Sequence, residues 1–298
     1  MSKRVIALGF FDGVHIGHGA LLNMAVRRAA ELGAVAAAET FDVHPETIIF
    51  GRDMPLINNM ADREALMKEL YGVDEVIFTH FDETMMKVPW QEFVDEFLVG
   101  RYGAIHLVCG HDYRFGYKGI GTAEMLKEYC ESRGMGCDII PKVELDGVTV
   151  SSTHIRTLVE TGDMETAARF LGHPHRISGT VVDGRKLGRT LGIPTANILI
   201  EDGTLQPVHG VYACKAYVDG GVYPAVTNIG VRPTVDDSGA VTVEPYILDF
   251  DGDIYGKTLR LDFYRFLRPE QKFASTDELK AAIAKNVRET RDIIASLV

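Results

Sequence analysis

The sequence lacks the cysteine patterns that bind zinc or cross-link small secreted domains. Four cysteines occur among 298 residues, and none belongs to a Cys-x-x-Cys pair or accompanies a His-x3-His pair. We therefore expect no zinc site. Isolated cysteines of this kind are usually buried thiols of a reducing cytosol. They are Cys109, Cys130, Cys137 and Cys214.

Long apolar segments are also missing. No stretch approaches the roughly 18 uninterrupted apolar residues that a membrane span requires. The segment Met1–Leu8 has neither a long apolar core nor a small-residue cleavage site. We expect neither a membrane span nor a signal peptide, and we place the chain in the cytosol.

Positive charge is scarce. Lysine and arginine number 31 against 42 aspartates and glutamates, which gives a net charge of −11. Duplex nucleic acid and anionic membranes attract basic surfaces, so neither is the expected partner, and no basic recognition element supports a DNA-binding regulator. An acidic enzyme still binds an anionic nucleotide through a local basic patch, a helix N-terminus and a metal ion.

Length and composition indicate two ordinary globular domains. At roughly 100–200 residues per domain, the chain holds two. Hydrophobic residues make up 46% and charged residues 24% of it, a typical globular mixture. The segment Thr153–Gly172 has the pattern of two short helices between the halves. We place the boundary near residues 172–175, which gives domains 1–172 and 173–298.

The first half alternates apolar strand-like runs with amphipathic helical segments. This alternation predicts a Rossmann-like α/β domain with a parallel sheet covered on both faces. Ligands of such sheets bind at the carboxyl ends of the strands, so the loops after Phe11, Thr40 and Cys109 are the candidate sites. The predicted strands are Val5–Phe11, Ala34–Thr40, Glu75–Thr79, Ala104–Cys109 and Cys137–Ile140, and the predicted helices are Gly17–Leu32, Ala61–Tyr71, Trp90–Val99 and Thr122–Ser132.

The second half consists of short strand-like runs separated by Gly, Asp and Pro. This spacing predicts an antiparallel barrel or sandwich. A terminal helix over Thr276–Ala295 follows, with an apolar stripe and a charged face. The predicted strands are Ile177–Val182, Val211–Val218, Tyr223–Ile229, Val241–Leu248 and Thr258–Phe266.

Two histidines follow the first predicted strand, where a helix should begin. The loop FFDGVHIGH contains His15, Gly17 and His18. Gly17 permits close approach of the backbone to a ligand, and the helix N-terminus offers N–H groups to a phosphate. Imidazoles there stabilise charge that develops on phosphorus. The plainer alternative is two histidines in a polar loop.

Two further segments carry phosphate-binding residue types. Ser152 and Thr153 supply helix-capping hydroxyls, and Arg156 supplies a bidentate fork. Asp112 lies in the segment GHDYRFG, which follows another strand. Ordinary capping and turn chemistry is the alternative for both segments.

The second half opens with a loop in which glycines alternate with cations. Backbone N–H groups in such a loop wrap a polyphosphate while the cations neutralise it, although the spacing is not that of a Walker A motif. Thr195 and Asn197 then place two hard oxygen ligands, suited to Mg²⁺, on one side of an extended segment. A basic surface turn is the alternative. The nucleotide-binding candidates of the loop are Gly184, Arg185, Lys186, Gly188 and Gly192.

One carboxylate interrupts an apolar strand. Glu244 lies in VEPYILDF. Alternation would place it on a solvated face. The alternative role is that of a general base for a hydroxyl that attacks a phosphoryl group.

The motifs of the first half resemble the FMN adenylyltransferase module of bacterial bifunctional FAD synthetases, a branch of the nucleotidylyltransferase superfamily. FDGVHIGH, TFDVHP, GHDYRFG and SSTHIR carry this resemblance. It implies that His15 and His18 hold ATP phosphates, as do Ser152, Thr153 and Arg156 from across the cleft. By the same resemblance Asp112 contacts nucleotide or flavin, and Asp42, His44 and Pro45 lie near the flavin. Phe10, Val43, His111 and His154 depart from the residues usual in the family.

The second half resembles the riboflavin kinase domain. GRKLGRTLGIPTAN, TNIGVRPT, EPYILDF and FLRPEQKF follow that pattern in order. The resemblance implies a six-stranded β-barrel with a C-terminal helix. In it, Thr195 and Asn197 hold Mg²⁺-ATP, Glu244 is the base on the ribityl hydroxyl, and Arg268 with the segment that follows it shapes the flavin pocket. Pro245 is unusual after the glutamate and predicts an edge strand or a bulge there. His173–His175 departs from the usual linker.

Together the two resemblances imply consecutive reactions with ATP, riboflavin and FMN as substrates: phosphorylation of riboflavin to FMN and adenylylation of FMN to FAD. Two alternatives stay open at this point. One is a kinase with a vestigial N-terminal domain. The departures from the family pattern at Phe10 and His154 keep this alternative open. The other is a flavin- or nucleotide-binding sensor without turnover. The oligomeric state is also open.

Overall fold

The computed structural model describes residues 2–183, 193–231 and 241–297. Its contacts divide the chain into two compact units. The first comprises Met1–Leu56 and Met60–Ser152, and the second comprises Ile57–Asn59 and Thr153–Val298. The predicted division into functional domains near residue 172 stays a prediction, because compact units do not by themselves show which segment carries each activity.

The first unit is built on a five-stranded parallel sheet with the strand order β3-β2-β1-β4-β7. Two small antiparallel hairpins, β5–β6 and β8–β9, lie outside it. The predicted parallel α/β domain is confirmed. The strands are β1 (Arg4–Leu8), β2 (Val35–Phe41), β3 (Glu75–Thr79), β4 (Ala104–Gly110), β5 (Arg114–Phe115), β6 (Gly121–Thr122), β7 (Gly136–Ile140), β8 (Glu144–Leu145) and β9 (Val148–Thr149).

Helices cover both faces of this sheet. Alternate residues of β1 enter two separate cores: Val5 packs on the face of the first helix, whereas Ile6 packs on the opposite face. The segment predicted as a helix over Trp90–Val99 begins as an α-helix and continues as a π-helix over Phe93–Arg101. The α-helices are α1 (Ile16–Leu32), α2 (Pro45–Phe50), α3 (Met60–Tyr71), α4 (Glu83–Met86), α5 (Trp90–Glu92) and α6 (Ala123–Ser132).

The strand order reverses between β1 and β4, since β2 follows on one side of β1 and β4 lies on the other. A crevice opens at such a switch point beyond the carboxyl ends of the two strands. The loops that leave β1 and β4 carry the His15 and Asp112 motifs. The topology therefore brings both motifs to the edge of the sheet where α/β proteins bind ligands.

The second unit contains a closed antiparallel barrel with the strand order β10-β11-β14-β13-β12-β15. The sequence pattern left barrel and sandwich open, and pairing of β10 with β15 closes the barrel. Two helices precede the barrel and one follows it. The elements are α7 (Ser152–Thr161), α8 (Met164–Leu171), β10 (His175–Val182), β11 (Asn197–Leu199), β12 (Gly210–Val218), β13 (Gly221–Val231), β14 (Val241–Ile247), β15 (Thr258–Arg268) and α9 (Thr276–Ala295).

Pro245 does not lie on an edge strand, which was one of the two placements predicted from its missing N–H. Strand β14 has neighbours on both sides in the closed barrel. The Pro245 carbonyl accepts the Ala196 N–H at 3.0 Å, but the proline has no N–H for the reciprocal bond. The ladder with β11 contains the pair Ile198–Val243 and does not extend to Pro245.

Several features of the described ranges bear on ligand classes. The four cysteines are buried and free. No helix in the described part is both long and apolar enough to cross a bilayer. Within the same ranges, no group of three or more His, Cys, Asp or Glu side chains has the arrangement of a metal site.

Candidate active sites

The loop between β1 and α1 has a strained backbone. Phe11 and Val14 adopt positive φ angles of 55° and 42°. This region is unfavourable for bulky and especially β-branched residues, and costs about 1–3 kcal/mol per residue. Both side chains are fully buried, so packing against the core holds the backbone in this form. Strain of this kind concentrates at functional sites.

His15 and His18 form a stacked pair at the start of α1. Their ring centroids are 3.5 Å apart with an interplanar angle of 11°. His15 caps the helix, because its Nδ1 accepts the His18 backbone N–H at 3.1 Å. Because Nδ1 of His15 accepts this hydrogen bond, it carries no proton. The proton of the neutral ring is therefore on Nε2, which can donate a hydrogen bond.

His18 is a neutral ring in the free protein. Its pKa lies well below the usual value, because burial disfavours the charged form and the nearby His15 and Arg63 oppose further positive charge. Its Nδ1 is buried without a hydrogen-bond partner among the described residues. A polyphosphate bound here would supply the negative charge that favours protonation.

The SSTHIR segment is split between the two units. Ser152 belongs to the first unit and donates from Oγ to the Asp12 carbonyl of the histidine loop at 2.9 Å. Thr153 and Arg156 follow on α7 within the second unit. Their predicted roles toward ATP phosphates stay predictions. His154 packs edge-on against Phe170, with 4.8 Å between the ring centroids.

A cavity of about 860 Å³ lies in the first unit and is called the first-unit cavity below. Its size falls in the range of small-molecule sites. The predicted flavin-binding residues Pro45 and Asp112 both line it. Aromatic walls of this kind suit a flat ring. The aromatic lining residues are Phe10, Phe41, Phe50, Phe81, Phe93, Tyr113, Phe115 and Tyr117.

Asp42 and His44 shape the loop after β2. Asp42 bonds His80 Nδ1 at 2.7 Å and accepts the Phe81 N–H at 3.1 Å. Burial opposes ionisation of Asp42, but these hydrogen bonds outweigh it and lower the pKa of the carboxyl. His44 caps α2 by accepting the Glu46 N–H at 3.2 Å. A flavin contact for these two residues stays a prediction.

Phe10 is part of the wall of the first-unit cavity. Its ring contacts His44, with centroids 4.5 Å apart. The Arg63 guanidinium carbon lies 4.7 Å from the centroid of the same ring. This departure from the family pattern therefore has a definite packing role. The structure gives no such role to Val43, while His111 is an exposed side chain beside Asp112.

Arg63 is a site-forming residue that the sequence interpretation missed. It is fully buried on α3 and joins the ends of two strands: Nη1 donates to the Phe10 carbonyl at 2.8 Å and Nη2 to the Phe41 carbonyl at 2.9 Å. Leu66 and Met67 are buried on the same helix. An arginine on the apolar face of a predicted helix was the available signal.

Replacing Arg63 with methionine should lower the free energy of unfolding of the first unit by about 3 kcal/mol. The stem would still pack, but two charged hydrogen bonds to backbone carbonyls would be lost. Thermal and urea unfolding would measure the change. Lys68→Met is the matched control, since it removes only an exposed pair with Glu64 and should cost less than about 1 kcal/mol. Equal effects of both substitutions would contradict a bridging role for Arg63.

A second cavity, of about 400 Å³, lies between the barrel wall and α9 and is called the barrel cavity below. Strand register explains its composition. Asn228 on β13 pairs with Val211 on one side and Glu244 on the other, so these side chains point to one face. Glu244 is half-buried and lines the cavity, rather than lying on a freely solvated face.

The nucleotide-binding residues predicted for the second half are only partly described. Thr195 lines the barrel cavity together with Glu244. Asn197 begins β11 two residues later. Their hydroxyl and amide oxygens match the hard donors that Mg²⁺ prefers. The predicted residues outside the described ranges are Gly184, Arg185, Lys186, Gly188 and Gly192.

Arg268 also lines the barrel cavity, while its contact with flavin stays a prediction. Its Nε donates to Asn286 Oδ1 at 3.1 Å. Asn286 is buried on α9, where the sequence pattern predicted only an apolar stripe. Glu270 adds a second carboxylate to the cavity wall and accepts a hydrogen bond from Asn228 at 3.2 Å. Asn286 was not predicted from the sequence, whereas Glu270 lies in the segment after Arg268 for which a role in the flavin pocket was predicted.

Each half of the chain matches a known protein family. Residues 1–154 match the family described as FAD synthetase, and residues 171–294 match the family described as riboflavin kinase. A bifunctional riboflavin kinase/FMN adenylyltransferase from Listeria monocytogenes is 38% identical over 297 residues, covering 99% of this chain and 94% of the relative. The chain belongs to this bifunctional family.

Other members and a solved structure extend the same similarity. The riboflavin kinase/FMN adenylyltransferase of Pseudomonas fluorescens is 39% identical and covers 98% of this chain and 93% of its own length. A crystal structure described as a macrolide-efflux protein from Streptococcus pneumoniae aligns with a TM-score of 0.86 and 32% identity, covering 97% of this chain and 94% of that one. The description as a macrolide-efflux protein applies to that protein and is not transferred to this chain. The alignment shows that the two chains share a fold over 97% of this one.

Proposed function

We propose that this chain makes FAD from riboflavin in two ATP-dependent steps. The barrel phosphorylates riboflavin to FMN, and the first unit adenylylates FMN with release of pyrophosphate. The observation that carries the proposal is that each unit has its own cavity lined by its own predicted site residues. Glu244, Thr195 and Arg268 line one, and Pro45 and Asp112 line the other.

In the barrel, Glu244 acts on the substrate hydroxyl. Its carboxylate accepts the proton of the ribityl 5′-hydroxyl as the oxygen attacks the γ-phosphorus of ATP, the bond from that phosphorus to the β–γ bridging oxygen breaks, and ADP leaves. Arg268, held by Asn286, orients the flavin. Thr195 and Asn197 would hold Mg²⁺, which neutralises charge on the ATP phosphates when bound. The predicted loop over 184–192 would cover the nucleotide.

In the first unit, the FMN phosphate attacks the α-phosphorus of a second ATP. The Nε2–H of His15 and the ring of His18 stabilise the charge that develops on the phosphate oxygens, together with the N–H groups at the start of α1. Ser152, Thr153 and Arg156 hold the same phosphates. Positioning and charge stabilisation suffice, so no covalent enzyme intermediate is required.

The substrates of the proposal are small molecules: ATP, riboflavin and FMN. We propose a cytosolic enzyme that works without nucleic acid or membrane. The net charge of −11 supports the absence of nucleic-acid and membrane partners, because anionic surfaces of both kinds attract basic proteins.

Incubation of the purified chain with riboflavin, ATP and Mg²⁺ tests the proposal. Chromatography should show FMN first and FAD later, with one pyrophosphate released for each FAD. A chain that stops at FMN would be a kinase with a vestigial first unit. Tight flavin binding without ATP consumption would indicate a sensor and overturn both steps.

A further inference from the structure

The functional assignments above give no role to a buried carboxyl group of the first-unit cavity. Glu39 lies near the end of β2 in the buried segment VAAAETF and is 1% exposed, yet it lines the cavity. Its Oε1 is buried without a hydrogen-bond partner among the described residues. A buried, unsatisfied carboxyl oxygen is costly, and one that borders a ligand cavity indicates a partner supplied by the ligand.

The surroundings of Glu39 are mostly apolar. Its paired neighbours are Leu8 on β1 and Ile77 on β3. The Thr79 side chain on β3 forms a hydrogen bond with the Glu39 side chain and another with the Tyr102 hydroxyl. The aromatic lining residues belong to the same cavity wall. The other titratable or charged groups of that wall are Tyr113, which is half-buried, and the exposed residues Asp112, Arg114, Tyr117 and Lys118.

This environment favours the neutral acid. Burial raises the pKa of Glu39 to about 7, although the Thr79 hydrogen bond lowers it in part. Burial, with Glu39 and Cys109 nearby, also raises the pKa of Tyr113 well above its usual value, so Tyr113 stays neutral. A neutral carboxyl group offers an O–H donor and a C=O acceptor side by side, whereas a carboxylate only accepts.

We propose that Glu39 is the residue that recognises the imide edge of the flavin ring in the adenylylation site. Its O–H donates to a ring carbonyl, and its C=O accepts the adjacent ring N–H. A carboxylic acid and an imide are complementary in this way because each presents one donor beside one acceptor. The inference rests on the proposed function, since it requires FMN in the first-unit cavity.

Two substitutions separate hydrogen bonding from packing. Glu39→Gln keeps a donor and an acceptor without titrating, and Glu39→Met removes both at similar volume. At pH 6, Glu39→Met should raise the KM for FMN in pyrophosphate release on the order of 10-fold, with kcat little changed. Glu39→Gln should stay near the parent. Riboflavin phosphorylation by the same preparations is the control for folding and should not change.

The pH profile supplies a second measurement. The parent loses its donor as pH rises through 7, so the ratio of its KM to that of Glu39→Gln should rise roughly tenfold between pH 6 and 8. Titration of the FMN phosphate affects both proteins and cancels in this ratio. A ratio that stays constant would overturn the role of the neutral acid.

A flavin analogue tests the contact itself. FMN methylated at the imide nitrogen lacks the N–H, so the parent should bind it roughly 10-fold less well than FMN, while Glu39→Met should discriminate far less. Equal discrimination by parent and Glu39→Met would overturn the proposal. If the parent makes FAD but the parent and Glu39→Met discriminate equally between the two flavins, only the Glu39 inference fails. If the parent makes no FAD, the proposed function of the first unit fails instead.

Discussion

Replacing His18 with alanine should stop the conversion of riboflavin at FMN. We expect adenylylation to slow by a factor on the order of 10²–10³, because the donor that stabilises charge at phosphorus is lost. Riboflavin phosphorylation should be unchanged, since the barrel cavity lies in the other unit. Separation of FMN and FAD by chromatography, with FMN or riboflavin as the starting substrate, measures both steps.

His18 also packs against neighbouring rings, so a control for folding is required. It stacks on His15 and contacts Phe11 edge-on, with 5.3 Å between the ring centroids. Glutamine at position 18 keeps an N–H donor and should recover part of the rate, whereas alanine should not. His209→Ala removes an exposed imidazole elsewhere and should leave both reactions intact. Full FAD synthesis by a well-folded His18→Ala protein would show that the pair does not act on phosphate.

Replacing Glu244 with glutamine should produce the reciprocal defect. Glutamine preserves size and hydrogen bonding but cannot accept the hydroxyl proton, so riboflavin phosphorylation should fall by a factor on the order of 10²–10⁴. The same protein should make FAD at the parent rate when it is given FMN. The rate of FMN formation from riboflavin and ATP, measured at saturating substrate, checks this prediction.

Two other carboxylates test whether the effect belongs to position 244. Glu201→Gln changes an exposed glutamate and should leave both reactions unchanged. Glu270→Gln changes a glutamate of the same cavity and removes its charge while an oxygen remains to accept from Asn228, so it should affect the KM for riboflavin more than kcat. If Glu270→Gln reduces kcat and Glu244→Gln does not, the proton acceptor has been assigned to the wrong residue.

The types and order of most elements were accessible from the sequence because hydrophobic periodicity is a local property. The apolar run before FDGVHIGH and the stripe of α1, including Leu22 and Ala25, predicted a strand and a helix close to those observed. Pro245 shows the limit of such reasoning. Its missing N–H predicted an edge strand or a bulge. The edge is excluded by closure of the barrel, which depends on pairing between β10 and β15, strands that lie far apart in the sequence.

The candidate sites were also predicted in part. His15, His18 and Glu244 could be named because phosphate transfer needs particular residue types in short motifs. Arg63 and Asn286 could not, because their hydrogen bonds reach Phe10 and Arg268 on other elements. A polar residue on an apolar stripe signals burial but does not identify its partner.

The sequence by itself determined two domain types, the order of their elements and the chemistry-bearing motifs. Each of these depends on residues close together along the chain. The tertiary structure alone decided which side chains share a cavity. Strand register set Glu244 opposite Asn228, and the packing of β2 enclosed Glu39 in an apolar cavity wall. Register and burial arise from contacts between distant segments, and these contacts set the environment in which each group works.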